Sequence, residues 1–451
     1  MIVMKFGGTS VTDGPAIARA ARIIASQAAR RPIVVSSAMA GVTDRLIHAA
    51  ERAAHSDLPS ALAIVAELRD RHRCALHEVA PPESPTRARA DEALAQRLDG
   101  LAHTLDALAL LEAGGPRGTD AVMAHGELLS TVVLTAALEA AGTDAVWVDA
   151  REVVITDSSF GRALPDFAEL TRRAHARLGS LLDRAAVPVT QGFIGATPQG
   201  ITTTVGRGGS DLTAALLGAA LAAEEVQIWT DVHGLMTADP RVVPGARPLA
   251  EASYDEAAEL AYFGAKVLHP ATMIPVIEAK IPLHIRNSTD PDAPGTRVSA
   301  APRPQPGGVK SIASKRGVTT IFLQAPRMLG AFGYLRRMFE VFDRNEVAVD
   351  VVSTSEVSVS LSIERGAVTD QLVEELERLG RVQVRRDGAI ICVVGEALRE
   401  TPGIAARIFR AIESVNIQMI SQGASKINVT LVVDDAQAVD AVTRLHAEFF
   451  G

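Results

Sequence analysis

A chain of 451 residues is too long for one hydrophobic core and implies two or three domains. With 47% hydrophobic and 22% charged residues it has the make-up of a globular protein, and aromatics at 4% leave the core to Ala, Val, Leu and Ile. The net charge of −8 excludes a general nucleic-acid binder, which carries a basic face, but not a local cationic pocket for a small anion. The two cysteines, Cys74 and Cys392, lie far apart without metal-ligand spacing, so the expectation is no disulfide framework and a reduced, cytoplasmic setting. No signal-peptide pattern opens the chain, and the longest apolar run, Leu212 to Ala223, is too short to span a bilayer.

In chain order the pattern predicts a strand at Met1–Phe6, a helix at Ala16–Ala29 and a buried strand at Pro32–Ser37. A helical region follows from about Asp44 to Leu111, broken by prolines near Ala80–Pro85, and then a helix at Ala124–Ala141 that ends at Gly142. Further strands are expected at Ala145–Asp149, Val187–Gly192, Thr202–Val205 and Val226–Thr230. Strands separated by helices imply an α/β domain with a largely parallel sheet covered on both faces. The Pro/Gly-rich stretch from Ala300 to Gly308 reads as a linker. Beyond it, Gly333–Ile363 aligns without gaps to Gly403–Val433, matching Phe339 to Phe409, Phe342 to Ile412, Val347 to Ile417, Val349 to Met419 and Leu361 to Leu431. Each copy reads glycine, helix, turn, strand, turn, strand, so two small duplicated α/β modules follow the linker.

The richest stretch chemically is Gly206-Arg207-Gly208-Gly209-Ser210-Asp211, ahead of an apolar helix. Asp211 or Ser210 reads as its N-cap, which would aim free N–H groups and the positive dipole end at an anion. Lys5 with Gly7 and Gly8 closes the first strand, and it is not a Walker A loop because the lysine precedes the glycines. A lysine there can serve phosphate as a point charge. Thr230 and Asp231 follow a strand end, where ligands of open α/β sheets bind, and Arg241 and Lys266 lie further on. Glu127 falls in the first turn of an apolar helix, where the dipole alone would favour it or a substrate ammonium would use it. No metal-ligand cluster and no G-x-S-x-G motif is present, and His125, His233 and His269 read as structural. The missing general base suits transfer of a phosphoryl group to a carboxylate, which is already ionised.

Taken in order, Lys5–Val11, Gln191–Gly195, Gly206–Asp211, Trp229–Val232 and Phe263–Pro270 resemble the aspartate kinases of the amino acid kinase family, and the tail repeat resembles paired ACT domains. The resemblance covers nearly the whole chain. It implies a kinase domain over 1–299, a linker over 300–308 and ACT regions over 309–390 and 391–451, the first inserted within the second. It also implies ATP-dependent phosphorylation of the side-chain carboxylate of L-aspartate to 4-phospho-L-aspartate, which opens lysine, threonine and methionine synthesis. By motif, Lys5, Gly8 and Asp211 would be catalytic. The amides of Gly7 and Gly8 would hold the transferring phosphoryl group. Ser37, Thr43, Glu127, Phe193, Arg207 and Ser210 would bind aspartate, with Arg207 on a carboxylate and Glu127 on the ammonium. Lys5, Gly7, Gly8, Thr230, Asp231, Arg241, Lys266 and Val267 would contact the nucleotide, with Mg²⁺ held by the phosphates and no protein metal site.

Met328, Gly333, Tyr334, Leu335, Val349, Asp350, Ser355 and Glu356 match the effector site of lysine-inhibited members, with threonine as the other candidate inhibitor. Ala331 and Ala348 replace polar residues often found there, and Met236 stands where many relatives carry a tyrosine. A homodimer or dimer of dimers through the ACT domains is implied, with no nucleic-acid or membrane partner. Two other readings of the residues stay open: a sibling kinase of another amino-acid carboxylate, and a non-catalytic amino-acid sensor on a kinase scaffold.

Overall fold

The near-continuous apolar run of β1 (Ile2–Phe6) is buried along its whole length, as a strand flanked on both edges and covered on both faces must be. Its neighbours β2 (Pro32–Ser36) and β7 (Glu225–Thr230) both run parallel to it, so the lysine it carries is delivered to the middle of a sheet edge. The computed structural model describes residues 1–451 except 112–113, 265–267, 269 and 303–307; Lys266, Val267, His269 and most of the proline-rich linker therefore lie outside the described residues.

Two compact units divide the chain: Met1–Gly234 with Ala250–Tyr254 and Val267–Pro302, and Leu235–Leu249 with Asp255–Lys266 and Arg303–Gly451. In the first, β1 leads into α1 (Gly14–Ser26), which is capped by Asp13 accepting from the Ala16 amide at 2.9 Å. After β2 come α2 (Val42–Ala54), α3 (Leu58–Val79), α4 (Pro85–Leu111), α5 (Pro116–Met123) and α6 (His125–Ala140). The helical region thus has an extra break at residues 55–57, where Asp57 caps α3. Then follow β3 (Ala145–Val148), α7 (Phe167–Ala174), α8 (Ser180–Leu182), β4 (Val187–Gln191), β5 (Ile194–Ala196), β6 (Thr202–Thr204), α9 (Gly209–Ala220), β7 and β8 (Glu251–Ser253); α10 (Tyr254–Phe263), which belongs from Asp255 on to the second unit, comes next in the chain, and α11 (Pro270–Ala279), β9 (Leu283–Asn287) and β10 (Thr296–Ser299) complete the first.

Eight of these strands form one sheet in the order β3-β4-β2-β1-β7-β9-β10-β8, parallel except at β9–β10. The strand expected at Thr202–Val205 does not join it. It is β6, which pairs antiparallel with β5 in a separate hairpin. Residues 116–140 are long and apolar enough by composition to span a bilayer, but 83% of their most apolar 18-residue window is buried, because α6 runs through this core.

The second unit is built on two long antiparallel strands, β11 (Val309–Gln324) and, further on, its partner at Arg381–Gly395. Between them lie α12 (Tyr334–Arg344), β12 (Val349–Thr354), β13 (Ser358–Glu364) and α13 (Asp370–Glu377). The partner strand is β14, and α14 (Ile404–Ala411), β15 (Ile417–Gln422), β16 (Asn428–Asp434) and α15 (Ala438–Phe450) follow it. An irregularity at Gly317 splits the six-stranded sheet into halves. The stretch of β11 after Gly317 pairs with β13 and with residues 381–385 of β14. The stretch before it pairs with residues 389–395 of β14, whose other edge carries β16. The alternating Val359, Leu361 and Ile363 meet Phe342 in one core, and Val429, Leu431 and Val433 meet Ile412 in the other, so the sequence repeat is a structural repeat. Gly333 and Gly403 adopt the same left-handed conformation at the starts of α12 and α14, which only glycine enters cheaply.

Lys310 of β11 pairs with Glu256 of α10 at 2.9 Å, and both side chains are almost wholly buried. Glu256→Ala leaves the Lys310 ammonium buried without its carboxylate, and a loss of about 3–5 kcal/mol in urea-unfolding stability is expected. The double variant Glu256→Leu/Lys310→Met should recover most of it.

Candidate active site

Four adjacent strands, β4, β2, β1 and β7, end side by side, and the carboxyl edge they share is where an open α/β sheet offers a crevice. Lys5 lies one residue from the end of β1, and its Nζ meets Asp211 Oδ1 at 2.5 Å, with both side chains largely buried. Asp211 reaches it from the first turn of α9. The helix begins at Gly209, and its cap is Gly208 in the left-handed region, φ +69°, so neither Ser210 nor Asp211 is the N-cap. A glycine turns the chain there at no steric cost, which frees the Asp211 carboxylate to face Lys5 at the positive end of the helix. Close approach also decides Gly192: a Cβ there would stand 2.5 Å from the Ser210 Cβ. The next residue, Phe193, has φ +66° and sits in a three-residue turn closed by the Ile194 amide on the Gly192 carbonyl at 2.7 Å, a strained geometry for a bulky side chain. The Thr213 hydroxyl holds it by accepting from the Phe193 amide.

Glu127 comes from the first turn of α6 and is buried. One oxygen accepts from the Ala38 amide at 3.2 Å, while Oε2 is buried without a hydrogen-bond partner. Burial pushes its pKa up to about 8, against the smaller opposing pull of the Ala38 amide, its own backbone amide and Lys5. The helix is fixed beneath it: the Thr131 hydroxyl donates to the Glu127 carbonyl and accepts from Trp147 Nε1 and Gln191 Nε2, and Gln191 accepts from the Ala150 amide. Ser130 donates to the Ser37 carbonyl at 2.7 Å.

A cavity of about 390 Å³ joins these pieces, lined by Lys5, Gly8, Ser37, Thr43, Glu127, Phe193, Arg207, Ser210 and Asp211 together with the loop 38–41 and Asp44. Arg207 is exposed at its mouth. Two aspartates, the raised-pKa Glu127 and two cationic groups thus face one space of small-ligand size.

Other sequence candidates lie elsewhere. The Gly7 amide donates to the Trp229 carbonyl at 3.0 Å, continuing the ladder, so it is not a free phosphate donor. Thr230 and Asp231 stand at the end of β7 and bond to each other, outside the cavity lining. Arg241 belongs to the second unit, where it clasps Asp239 through Nε at 3.0 Å and a terminal nitrogen at 2.6 Å. In that unit Met328 lies in a short 3-10 turn, Gly333 caps α12, Tyr334 is buried and donates to the Leu379 carbonyl, and Leu335 is exposed. Val349 and Asp350 lie on β12, and Ser355 bonds Ser358 beside Glu356. Asp350 is already engaged: one oxygen accepts from Lys315 Nζ at 2.9 Å and from the Tyr262 hydroxyl at 2.6 Å, and its other oxygen is buried without a partner. Sequence reasoning missed Thr131, Gln191, Ser130 and Asp120. Of these Gln191 opens the motif Gln191–Gly195, and Asp120 leaves a trace as a carboxylate seven residues, or two helical turns, before Glu127.

The amino acid kinase family model matches residues 1–287, and an ACT domain model matches residues 391–449. The lysine-sensitive aspartokinase 3 of Escherichia coli is 38% identical over 460 residues, covering 100% of this chain and 99% of that one. This chain belongs to the aspartokinases of the amino acid kinase family. The fold agrees over the full length of both chains with E. coli aspartokinase III in complex with aspartate and ADP, at a TM-score of 0.87 and 38% identity. With the lysine and aspartate complex of that enzyme the TM-score is 0.81. The chain is an aspartate kinase, a phosphotransferase with a carboxyl group as acceptor, with the mostly parallel kinase sheet and the ACT sheet of its family.

A carboxyl group with a pKa near 8 holds an ammonium only when ionised, so kcat/KM for aspartate should rise as pH climbs from 6.5 to 8.5. Glu127→Gln should lower kcat/KM roughly 30-fold or more and flatten that rise, as read from initial rates across the pH series.

Proposed function

We propose that the cavity between Lys5, Glu127, Arg207 and Asp211 binds L-aspartate and the γ-phosphate of ATP and catalyses transfer to the side-chain carboxylate. The observation that carries this reading is the placement of the Lys5–Asp211 pair, the buried Glu127 and the exposed Arg207 around one cavity. Glu127 takes the substrate ammonium through its unpartnered oxygen, and Arg207 takes a carboxylate in its fork. Ser37, Thr43, Phe193 and Ser210 complete the walls. A side-chain carboxylate oxygen of aspartate then attacks the γ-phosphorus; the new P–O bond forms as the bond to the β-phosphate oxygen breaks, and ADP leaves. No proton has to move, so the residues supply position and charge. Lys5, held by Asp211, neutralises charge gathering on the phosphoryl oxygens beside Gly8. ATP enters with Mg²⁺ on its phosphates, and Thr230 and Asp231 are the described candidates of the first unit for nucleotide contacts.

Lysine is the proposed inhibitor, bound at Met328, Gly333, Tyr334, Leu335, Val349, Asp350, Ser355 and Glu356. An amine arriving there would compete with Lys315 for Asp350. The domain limits 1–299, 300–308, 309–390 and 391–451, with the first ACT region inserted in the second, are supported by the way the half-sheet of residues 318–385 lies between the strands of the other half in sequence. Exposed Phe332, Leu329 and Leu335 support pairing of copies through the first ACT region as a homodimer or dimer of dimers. The free cysteines Cys74 and Cys392 support a cytoplasmic setting, Cys392 being buried with its pKa pushed up to about 12 and so a neutral thiol.

The test is ATP-dependent acyl-phosphate formation trapped with hydroxylamine, with aspartate against glutamate, each with and without lysine and threonine. Turnover with aspartate alone, suppressed by lysine, is expected. Turnover with glutamate alone, or amino-acid binding without turnover, would overturn the reading. Lys5→Ala should abolish turnover, a drop of about 10³-fold or more, while the far-UV circular dichroism spectrum shows the fold retained. Asp350→Ala should raise the half-inhibitory lysine concentration roughly tenfold or more, and an unchanged value would remove Asp350 from the effector site.

A further inference from the structure

Asp120 is wholly buried on α5, away from the cavity lining. A carboxylate in that position costs free energy unless every oxygen is used. Here one oxygen accepts the Gly161 and Thr204 amides, each at 2.9 Å, and the other accepts the Thr204 hydroxyl at 2.7 Å. Its donors come from two segments that also bond to each other, the Ala163 amide donating to the Thr204 carbonyl at 2.9 Å.

Both sides of this junction lead to the cavity. On the helix side, the Ala124 amide donates to the Asp120 carbonyl and the Leu128 amide to the Ala124 carbonyl, so the turn from α5 into α6 is continuous and Glu127 follows two turns later. On the strand side, Thr204 ends β6 three residues before Arg207, and the Val205 amide bonds the Phe193 carbonyl. Gly206, at φ +82°, packs against the Gly161 carbonyl, where an added Cβ would stand at 3.4 Å. The 157–164 loop is held in shape by Asp157, which accepts from the Ser159 and Leu164 amides.

We propose that Asp120 is a positioning residue for aspartate, a clamp that sets the loop carrying Arg207 against the helix carrying Glu127. The proposal rests on the assignment of those two residues to the substrate carboxylate and ammonium. Two ionic contacts on a ligand as short as aspartate demand a set separation, and a shift of about 1 Å in either costs affinity and alignment. None of the described nucleotide candidates, Lys5, Gly7, Gly8, Thr230, Asp231 and Arg241, is among the partners of Asp120.

Asp120→Ala removes both acceptor oxygens and all three hydrogen bonds. The expected result is a rise of roughly tenfold or more in the KM for aspartate, with the KM for ATP within about twofold of wild type. Asp120→Asn should restore most of the loss, because its one oxygen can serve both amides while its NH₂ donates to a rotated Thr204 hydroxyl. Thr204→Val, which deletes one of the three bonds, should raise the aspartate KM by a smaller factor in the same direction, and it carries the test if the alanine variant does not fold. Equal shifts in both KM values, a fall in kcat with both KM values unchanged, or a Thr204→Val enzyme with wild-type aspartate KM would each overturn the proposal. Arg207→Ala serves as the control: if it leaves the aspartate KM unchanged, the substrate assignment itself fails. If it raises that KM and Asp120→Ala does not, only the clamp fails.

Discussion

The ion pair between Lys5 and Asp211 ties the end of the central strand to the first turn of the helix behind the glycine loop, and the site is arranged around it. A lysine in the middle of a buried sheet must find an anion, because an unpaired ammonium there would be strongly penalised. Asp211 supplies it only because Gly208 turns the chain early enough to leave that carboxylate inside the helix. The same turn brings Ser210 against Gly192, and so fixes Phe193 in its strained turn over the cavity. Strand end, glycine loop and hairpin thus hold one another in place before any ligand arrives, which is the preorganisation that a transfer without a general base requires.

Glu127 shows the opposite electrostatic solution. Lys5 is matched inside the protein, whereas Glu127 is buried with one oxygen unmatched and its pKa raised by desolvation. A group left in that condition costs stability and gains from a cationic ligand. The supporting network through Thr131, Gln191 and Trp147 spends several buried polar groups on keeping this one carboxyl in place. In the second unit Asp350 shows a third arrangement, with Lys315 and Tyr262 both on one oxygen and the other oxygen buried without a partner.

Much of this was legible in the chain. The alternation of strands and helices, the buried strand Ile2–Phe6, the glycine loop, the helix carrying Glu127 and the tail repeat all rest on local pattern: period, turn chemistry and self-similarity. Thr202–Thr204 was readable as a strand, but not its partner, because a three-residue strand carries no mark of which sheet it joins. Ser210 and Asp211 are both good caps by propensity, but the left-handed Gly208 turns the chain earlier and starts the helix at Gly209. The Gly7 amide looked free for phosphate until its neighbour β7 claimed it.

Residue types and their spacing determined which groups this protein can bring to chemistry: Lys5, Arg207 and Asp211 beside glycines, Glu127 on an apolar helix, two ACT-like modules behind a linker. Tertiary structure alone decided which of them meet, because Lys5 and Asp211, or Asp120 and Thr204, are separated by long stretches of chain and their contact depends on strand order and helix packing. It also decided their charge states, since the burial that lifts the pKa of Glu127 belongs to the packed interior and to no short stretch of sequence.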